Sequence, residues 1–502
     1  METLSQQIDV AAADLRRAPM PEHRVDAARW TAAAVALAEG RAELLGLWAS
    51  RRGVHMVLRA PGTGWLGLLT HETGDVFPSV GRHHAPAQRM ERAIHDLYGL
   101  VPEGAPDLRP WLDHGRWPVH HPLGAQDPAG AAQPYPFLPV EGESLHQVPV
   151  GPVHAGIIEP GHFRFTAQGE TVVRLEERLG YTHKGVGRLM RGATIARGAK
   201  LAGRVCGDST VAYSWAFAQA AEAALGLAVP ERALWLRALM AELERLANHL
   251  GDIGAICNDA AFAMMHAHCG ALRERVLRAA DAVFGHRLMR DVILPGGVTR
   301  DLDADGVQIV SALAEDIRAR FPALVRLYDR SASVQDRTVG TGRLDPALAA
   351  RFAAGGVVGR ASGRDFDVRR DLSHAPYDRM PLAVPCRNDG DVNARIWVRI
   401  DEVPQSLALI GRLVSDLPEG PIAVPLPSVV PGGVGIGLVE GFRGDVLAAV
   451  ELAPDGTIAD GHLRDPSWMQ WPLLEAVIEG NIIADFPLCN KSFNCAYSGV
   501  DL

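Results

Sequence analysis

Lysine is almost missing from this sequence. Of 502 residues only Lys184, Lys200 and Lys491 are lysine, so arginine carries nearly all of the positive charge. The 50 Lys and Arg residues face 59 Asp and Glu residues, a formal net charge of −9. Sequence-independent nucleic-acid binding needs clustered cations to displace counterions, and this mildly acidic chain excludes that class of partner. Cysteine is also scarce. Cys206, Cys257, Cys269, Cys386, Cys489 and Cys495 are scattered and do not form a disulfide framework. No run reaches the ~18 apolar residues needed to cross a bilayer. The most apolar late stretch, "GPIAVPLPSVVPGGVGIGLV", is interrupted repeatedly by Pro and Gly. The start, "METLSQQIDVAAADLRRAPM", has no basic segment followed by an apolar block and does not read as a secretory signal. G-x-x-x-x-G-K-[ST] does not occur, so a phosphate loop is not supported, and no dinucleotide-binding Rossmann unit is expected. The chain is expected in the cytoplasm, at a membrane only through partners.

What is present suits more than one compact core, since 502 residues exceed what one core holds. Residues 1–50, rich in Ala, Leu and Arg, read as helical. "GVHMVLRAPGTGWLGLLTHE" alternates like strands, and "PAQRMERAIHDLYGLVPEG" reads as a helix ending in a Gly turn. Residues 1–115 are therefore expected to form a small α+β domain. Residues 116–146, dense in Pro, Gly and His, are the linker candidate. The remainder, 147–502, opens with strand-like pieces and turns mainly helical from about 183 to 290. In "ERALWLRALMAELERLANHLGDIGAIC", Leu236, Leu239, Met240, Leu243, Leu246, Ala247, Leu250 and Ile253 form one apolar stripe, flanked by Glu242, Arg245 and His249. The fold class is α+β, a small mixed domain joined to a mainly α-helical large one with short β elements.

Three groups of residues have chemical potential. Cys206 in "LAGRVCGDSTVAYSW" and Cys495 in "CAYSGVDL" both stand in C-x-x-S, with Ser209 and Ser498 where a second thiolate would complete a soft-metal site. On these residues alone they read rather as buried small residues of a former site. His154, His162 and His183 fall within one short stretch with Glu159, Glu176 and Glu177. His183 in "GYTHKG" is either a proton donor at a pocket or a hydrogen-bonded histidine at a strand-to-helix turn. The Glu242, Arg245 and His249 flank is either a proton route or a set of ion pairs between helices, and both require partners when buried.

The motifs "GPVHAGIIEPGHFRF", "GETVVRLEERLGYTHKG", "RALMAELERLANHLGDIGA", "LPGGVTRDL", "GVVGRASGRDFDVRRD", "GDVNARIWVRIDEVPQSL", "VEGFRGD" and "GNIIADFPL" follow one another in a single order. Over about 150–502 this resembles the large subunit of membrane-bound [NiFe]-hydrogenases and its homologue, the 49 kDa-type quinone-site subunit of respiratory complex I. "FPSVGRHHAPAQRMERAIHDLYGLVPEGAPD" resembles the 30 kDa-type subunit of complex I, and the fusion resembles the large subunit of formate hydrogenlyase. The resemblance implies two C-x-x-C pairs holding nickel and iron. Here they fall on Cys206/Ser209 and Cys495/Ser498, so the terminal thiolates remain and both bridging ones are replaced. A Ni/Fe centre is therefore not expected. The family's proton-relay Glu falls on Gly187, and Arg443 matches the arginine over the iron ligands. His183 matches the complex I quinone histidine, while the partner Tyr falls on Gly207, leaving Tyr181 or Tyr213 as substitutes.

The function this implies is that of a peripheral-arm subunit of a complex I-like, energy-converting hydrogenase-related oxidoreductase. It would pass electrons from an iron–sulfur cluster in a partner to an acceptor such as a quinone. The site residues are His183, Glu242, His249 and Arg443 for catalysis, and His154, Tyr181 and His183 for the cofactor. Cys206 and Cys495 are the residual metal positions. One cavity is expected to gather His154, His183, Cys206, Arg443 and Cys495. The implied partners are a small iron–sulfur subunit, a ferredoxin-like subunit, and antiporter-like and quinone-site membrane subunits. Two rivals stand beside this: an active hydrogenase with an altered nickel site, and a structural coupling subunit without chemistry.

Overall fold

The computed structural model describes residues 20, 22–62, 65–128, 134–427 and 433–502. The N-terminal part builds a sheet in the order β1–β4–β3–β2, from β1 (Glu22–Arg24), β2 (Glu43–Ser50), β3 (Gly53–Ala60) and β4 (Trp65–His71). The three long strands are antiparallel, and β1 adds in parallel to β4. Helix α1 (Ala27–Ala38) starts where the Asp26 carboxylate accepts from Arg29 N at 2.8 Å. It buries Trp30, Ala33, Ala34 and Leu37, one helical face. Helix α2 (Gln88–Tyr98) stops at Gly99, whose φ of +77° is open to glycine at little cost.

The expectation of helix over 1–50 holds for Ala27–Ala38 but not for Glu43–Ser50, which is a strand. Its run "ELLGLWAS" is apolar on both faces because each face meets a different core. Leu44, Leu47 and Ala49 belong to the main core. Leu45 and Trp48 pack instead with Phe366, Val368, Ile436, Leu438 and Leu447 from the other end of the chain. A strand buried on both sides loses the period-two signal and reads like a helical core. Residues 1–19 and 21 of that expectation lie outside the described residues.

Between 116 and 146 the described residues carry only the short strand pair Val119–His120 and Asp127–Pro128 and the start of the strand Leu145–Val150, while 129–133 lie outside them. Beyond it, β5 (Leu145–Val150), β6 (His162–Gln168) and β7 (Thr171–Arg178) form an antiparallel sheet with β6 central. A helical layer follows, with α3 (Thr210–Leu225), α4 (Glu231–Asp259), α5 (Ala263–Phe284), α6 (Ala304–Asp329) and α7 (Val392–Ser415). Helix α4 matches the apolar stripe and packs between α5 and α7. An antiparallel sheet of β8 (Gly433–Gly441), β9 (Gly444–Leu452) and β10 (Ile458–Arg464) lies under α3. That approach is unusually close. A Cβ on Gly435 would stand 1.8 Å from Ala220 O, and one on Gly437 2.0 Å from Ala216 O. Only glycine on the strand and alanine on the helix let the two backbones meet. Helices α8 (Ser467–Val477) and α9 (Phe486–Phe493) close the fold.

The two ends of the chain share one interior. Arg464 on β10 donates from Nε to Leu45 O on β2 at 2.6 Å. The observed architecture is mixed α+β, as read from the sequence. Among the described residues no helix is long and apolar enough to cross a membrane.

Candidate functional site

The two C-x-x-S segments meet. Cys206 sits in the turn that enters α3, and Cys495 follows the end of α9, where Asn494 adopts a left-handed conformation (φ +51°). Arg443 occupies the tight turn between β8 and β9. Together they line a cavity of about 270 Å³, along with Glu159, Asp208 and Lys491. That volume holds several waters or a small molecule.

Most of the polar groups around it are already engaged. Arg443 donates from Nη1 to Asp208 Oδ1 at 2.9 Å and to Ser209 Oγ at 2.9 Å. Its Nη2 donates to Asp208 Oδ2, and its Nε to the Asn494 carbonyl. Nη1 also stands 3.8 Å from Cys206 Sγ. The Cys206 thiol donates to Asp208 Oδ1 at 2.8 Å, and the Cys495 thiol stands 3.9 Å from Gln470 Oε1. Ser498 donates from N and from Oγ to Glu159 Oε2, at 3.1 and 3.2 Å. Burial, with the Asp208 charge added, pushes the Cys206 thiol well above its usual range, outweighing Arg443. Burial does the same at Cys495. Burial also opposes ionisation of Asp208, but the Arg443 guanidinium overcomes it and holds that carboxyl below its usual range. The two cysteines are therefore neutral thiols and the aspartate is a carboxylate.

The other sequence-derived residues fall in three places. His154 borders the cavity through Tyr497, with Nε2 3.1 Å from its hydroxyl. His183 does not join it. Its Nδ1 donates to the Asp501 carbonyl at 3.0 Å and its ring stacks on Trp117, centroids 4.6 Å apart. It lines a second, apolar cavity of about 80 Å³ in the seam between the chain's two ends, with Trp48, Tyr98, His462 and Trp468. The single cavity expected from the sequence is thus two. Tyr181 is a surface residue 5.4 Å from the Arg178 guanidinium, and Tyr213 is buried and donates to Asp465 Oδ2 at 2.7 Å. Gly187 lines the second cavity.

Glu242 and His249 lie deeper, in a buried ionic network. Glu242 accepts from Arg369 at 2.9 Å, Tyr377 at 2.8 Å and Ser406 at 2.8 Å. Burial opposes its charge, but Arg369 and Arg245 hold it below the usual carboxylate range. His249 Nε2 stands 2.7 Å from Glu402, which also pairs with Arg360 at 2.7 Å. Burial pushes the His249 pKa down against that carboxylate. The network touches the cavity wall through Asp252, which pairs with Arg399 and accepts from Asn494 Nδ2 at 2.8 Å.

Sequence reasoning missed Asp208, Lys491 and Glu244, and named Glu159 only beside the His154, His162 and His183 group. Asp208 had a visible signal, since it lies inside the C-x-x-S motif itself. Nothing in the sequence directed Glu159 or Lys491 to the Cys206 cavity, because only the fold brings the loop between β5 and β6 against α9 and the turn after it.

The description "Respiratory-chain NADH dehydrogenase, 49 Kd subunit" matches residues 259–432, and "Respiratory-chain NADH dehydrogenase, 30 Kd subunit" matches 62–133. Formate hydrogenlyase subunit 5 of Escherichia coli (strain K12) is 33% identical over 439 residues, 85% of this chain and 77% of that protein. The chain belongs to the complex I 49 kDa and membrane-hydrogenase large-subunit family, with a 30 kDa-type region before it. The carbon monoxide-induced hydrogenase of Rhodospirillum rubrum is a further relative, 32% identical over 355 residues, 70% of this chain and 98% of that one. Among solved structures, an archaeal respiratory membrane complex, the membrane-bound sulfane sulfur reductase, contains a similar chain. It has a TM-score of 0.68 and 25% identity, covering 73% of this family member and all of that chain. The resemblance read from the ordered motifs is therefore shown.

Proposed function

We propose that this chain is a peripheral-arm subunit of a membrane-associated, complex I-like oxidoreductase that works without a nickel–iron centre. Electrons reach it from an iron–sulfur cluster in a small partner subunit and pass to an acceptor such as a quinone. One observation carries this reading. The groups that would hold two metals are committed to one another instead: Arg443 to Asp208 and Ser209, Cys206 to Asp208, Ser498 to Glu159. Soft metals need thiolates, and the two motifs offer two cysteines with hydroxyls in the other two positions. Among the described residues no group of three or more His, Cys, Asp or Glu is arranged to hold a metal ion. This donor set does not fit a binuclear centre.

The residues that remain can still manage protons. His183 donates its Nδ1–H to the Asp501 carbonyl and lines the apolar cavity. Burial lowers its pKa, so it is neutral near pH 7 and must take up a proton before giving one to a reduced acceptor.

The test is elemental analysis of the complex expressed with its native partners. Sub-stoichiometric nickel and no hydrogen evolution are expected, whereas one nickel per chain would replace this reading by that of an active hydrogenase. In the same complex, His183→Ala should slow reduction of an added quinone analogue. Wild-type rates would favour a purely structural coupling role.

A further inference from the structure

Two spaces meet at Gly207 and Asp208. One is the Cys206 cavity. The other is a narrow crevice between α4 and α5, walled by Leu243, Ala247, Val276 and Leu277. Half-buried Arg273 and Leu288 connect that wall to the surface. Gly207 leaves room at the junction, because a Cβ there would meet nothing nearer than Leu288 Cδ1 at 4.0 Å.

Besides Asp208, the one carboxyl among the described residues lining the crevice is Glu244. It accepts from Val211 N at 2.7 Å and Ala212 N at 3.1 Å, so it is fixed on the first turn of α3 and makes no ion pair among the described residues. Glu242, two residues earlier on the same helix, is gripped by Arg369, Tyr377 and Ser406 instead. The contrast is chemical. A carboxylate clamped by guanidinium groups keeps its charge, whereas a buried carboxyl holding only amides can carry a proton. Burial pushes Glu244 up to about 8, the two amides oppose this, the Asp208 charge adds to it and Arg245 opposes it. The other charged groups nearby are Arg273 from α5 and, across the junction, Arg443 paired with Asp208.

We propose that Glu244 is the proton-loading residue of the Cys206 cavity, exchanging protons with solvent along the α4–α5 crevice and passing them past Gly207. This rests on the proposed electron transfer through the chain, with electrons entering the Cys206 cavity before they reach the acceptor beside His183. Each electron entering a low-dielectric cavity is stabilised by a proton that follows it. Glu244 releases a proton to water at the junction, becomes a carboxylate, and is reprotonated from the crevice. No electron passes through it, and Asp208 stays ionised throughout.

The experiment uses the assembled complex and reads the S–H stretching band of Cys206, identified by its loss in Cys206→Ala. After transfer into D2O below pH 8, Glu244→Gln should slow exchange of this thiol at least ~10-fold, within the range a positioned acid–base group contributes. Glu244→Asp should recover part of it. Glutamine keeps an oxygen for one of the Val211 and Ala212 amides, which Glu244 meets with separate oxygens, so half of the α3 cap survives. Unchanged exchange in Glu244→Gln, or equal slowing in Glu244→Asp and Glu244→Gln, would overturn the assignment. Slowed exchange with acceptor reduction at the wild-type rate would keep the proton-loading role and place the electron path outside the Cys206 cavity.

Discussion

Arg443 holds Asp208 with both ends of its guanidinium, Nη1 to Oδ1 at 2.9 Å and Nη2 to Oδ2, on the wall of the cavity that both C-x-x-S segments reach. The hairpin turn that presents Arg443 and the turn that presents Asp208 are 235 residues apart in sequence. The pair therefore ties the sheet to the helical layer as well as neutralising a buried cation. Removing one partner leaves the other uncompensated. Asp208 keeps 28% of its side chain exposed, so its replacement costs less than for a sealed pair. We expect Asp208→Asn to lower stability by about 2–3 kcal/mol. Asp208→Asn combined with Arg443→Gln should lose less than the sum of the single changes, measured by a denaturation double-mutant cycle. Additive losses would show that the two side chains do not support one another.

Thiol chemistry provides a second check. Cys206 and Cys495 are buried and held as neutral thiols, while Cys386 is exposed. Alkylation needs the thiolate and access. Iodoacetamide near neutral pH should modify Cys386 well before Cys206 or Cys495, as read by peptide mass spectrometry. Arg443→Gln removes the cation that favours the Cys206 thiolate and should slow its modification further. Rapid labelling of Cys206 in the folded chain would mean that the cavity holds a thiolate and is ready for a soft metal after all.

How much of this was legible in the sequence depends on what each signal measures. Helix α4 was legible because its apolar stripe repeats at helical spacing, and α2 because Gly99 ends it. Strand β2 was not, since Leu44 and Leu45 face two different cores and the alternation that marks a strand disappears. The meeting of Cys206, Arg443 and Cys495 came from the ordered motifs, whose family places them together. The separation of His183 from them did not, because it depends on Trp117 and Trp48, aromatic residues outside every motif quoted for the large domain. Composition also cannot separate Glu242 from Glu244. Both lie on α4, and only tertiary contacts decide which is clamped by arginine and which is left to backbone amides.

Glu242 supplies a third prediction. With Arg369 at 2.9 Å and Arg245 at 3.5 Å, its side chain is fully buried and its charge anchors the network between α4 and α7. Glu242→Gln leaves two guanidinium groups short of a counter-charge. We expect a loss of about 3–5 kcal/mol, seen as a lower denaturation midpoint. A stable Glu242→Gln variant with a changed pH profile for acceptor reduction would instead make Glu242 a proton relay.

Glu91 in the N-terminal part tests how burial links stability to pH. Its carboxyl accepts from Val80 N at 2.6 Å, Gly81 N at 3.1 Å and Ser79 Oγ at 2.8 Å, with no cation beside it among the described residues. Burial outweighs these bonds and pushes its pKa from 4.5 up to about 7. Between those values the folded chain binds a proton that the unfolded chain has released. This contribution is therefore fully present below about 4.5 and is lost as pH rises through about 7. The span corresponds to about 3 kcal/mol. Glu91→Gln cannot ionise, so relative to the natural chain it should gain stability from pH 5 to pH 8, by up to that amount, in urea denaturation. A difference that stays flat across this range would mean that water reaches Glu91, and that the turn at Val80 and Gly81 is more open than its packing against α2 implies.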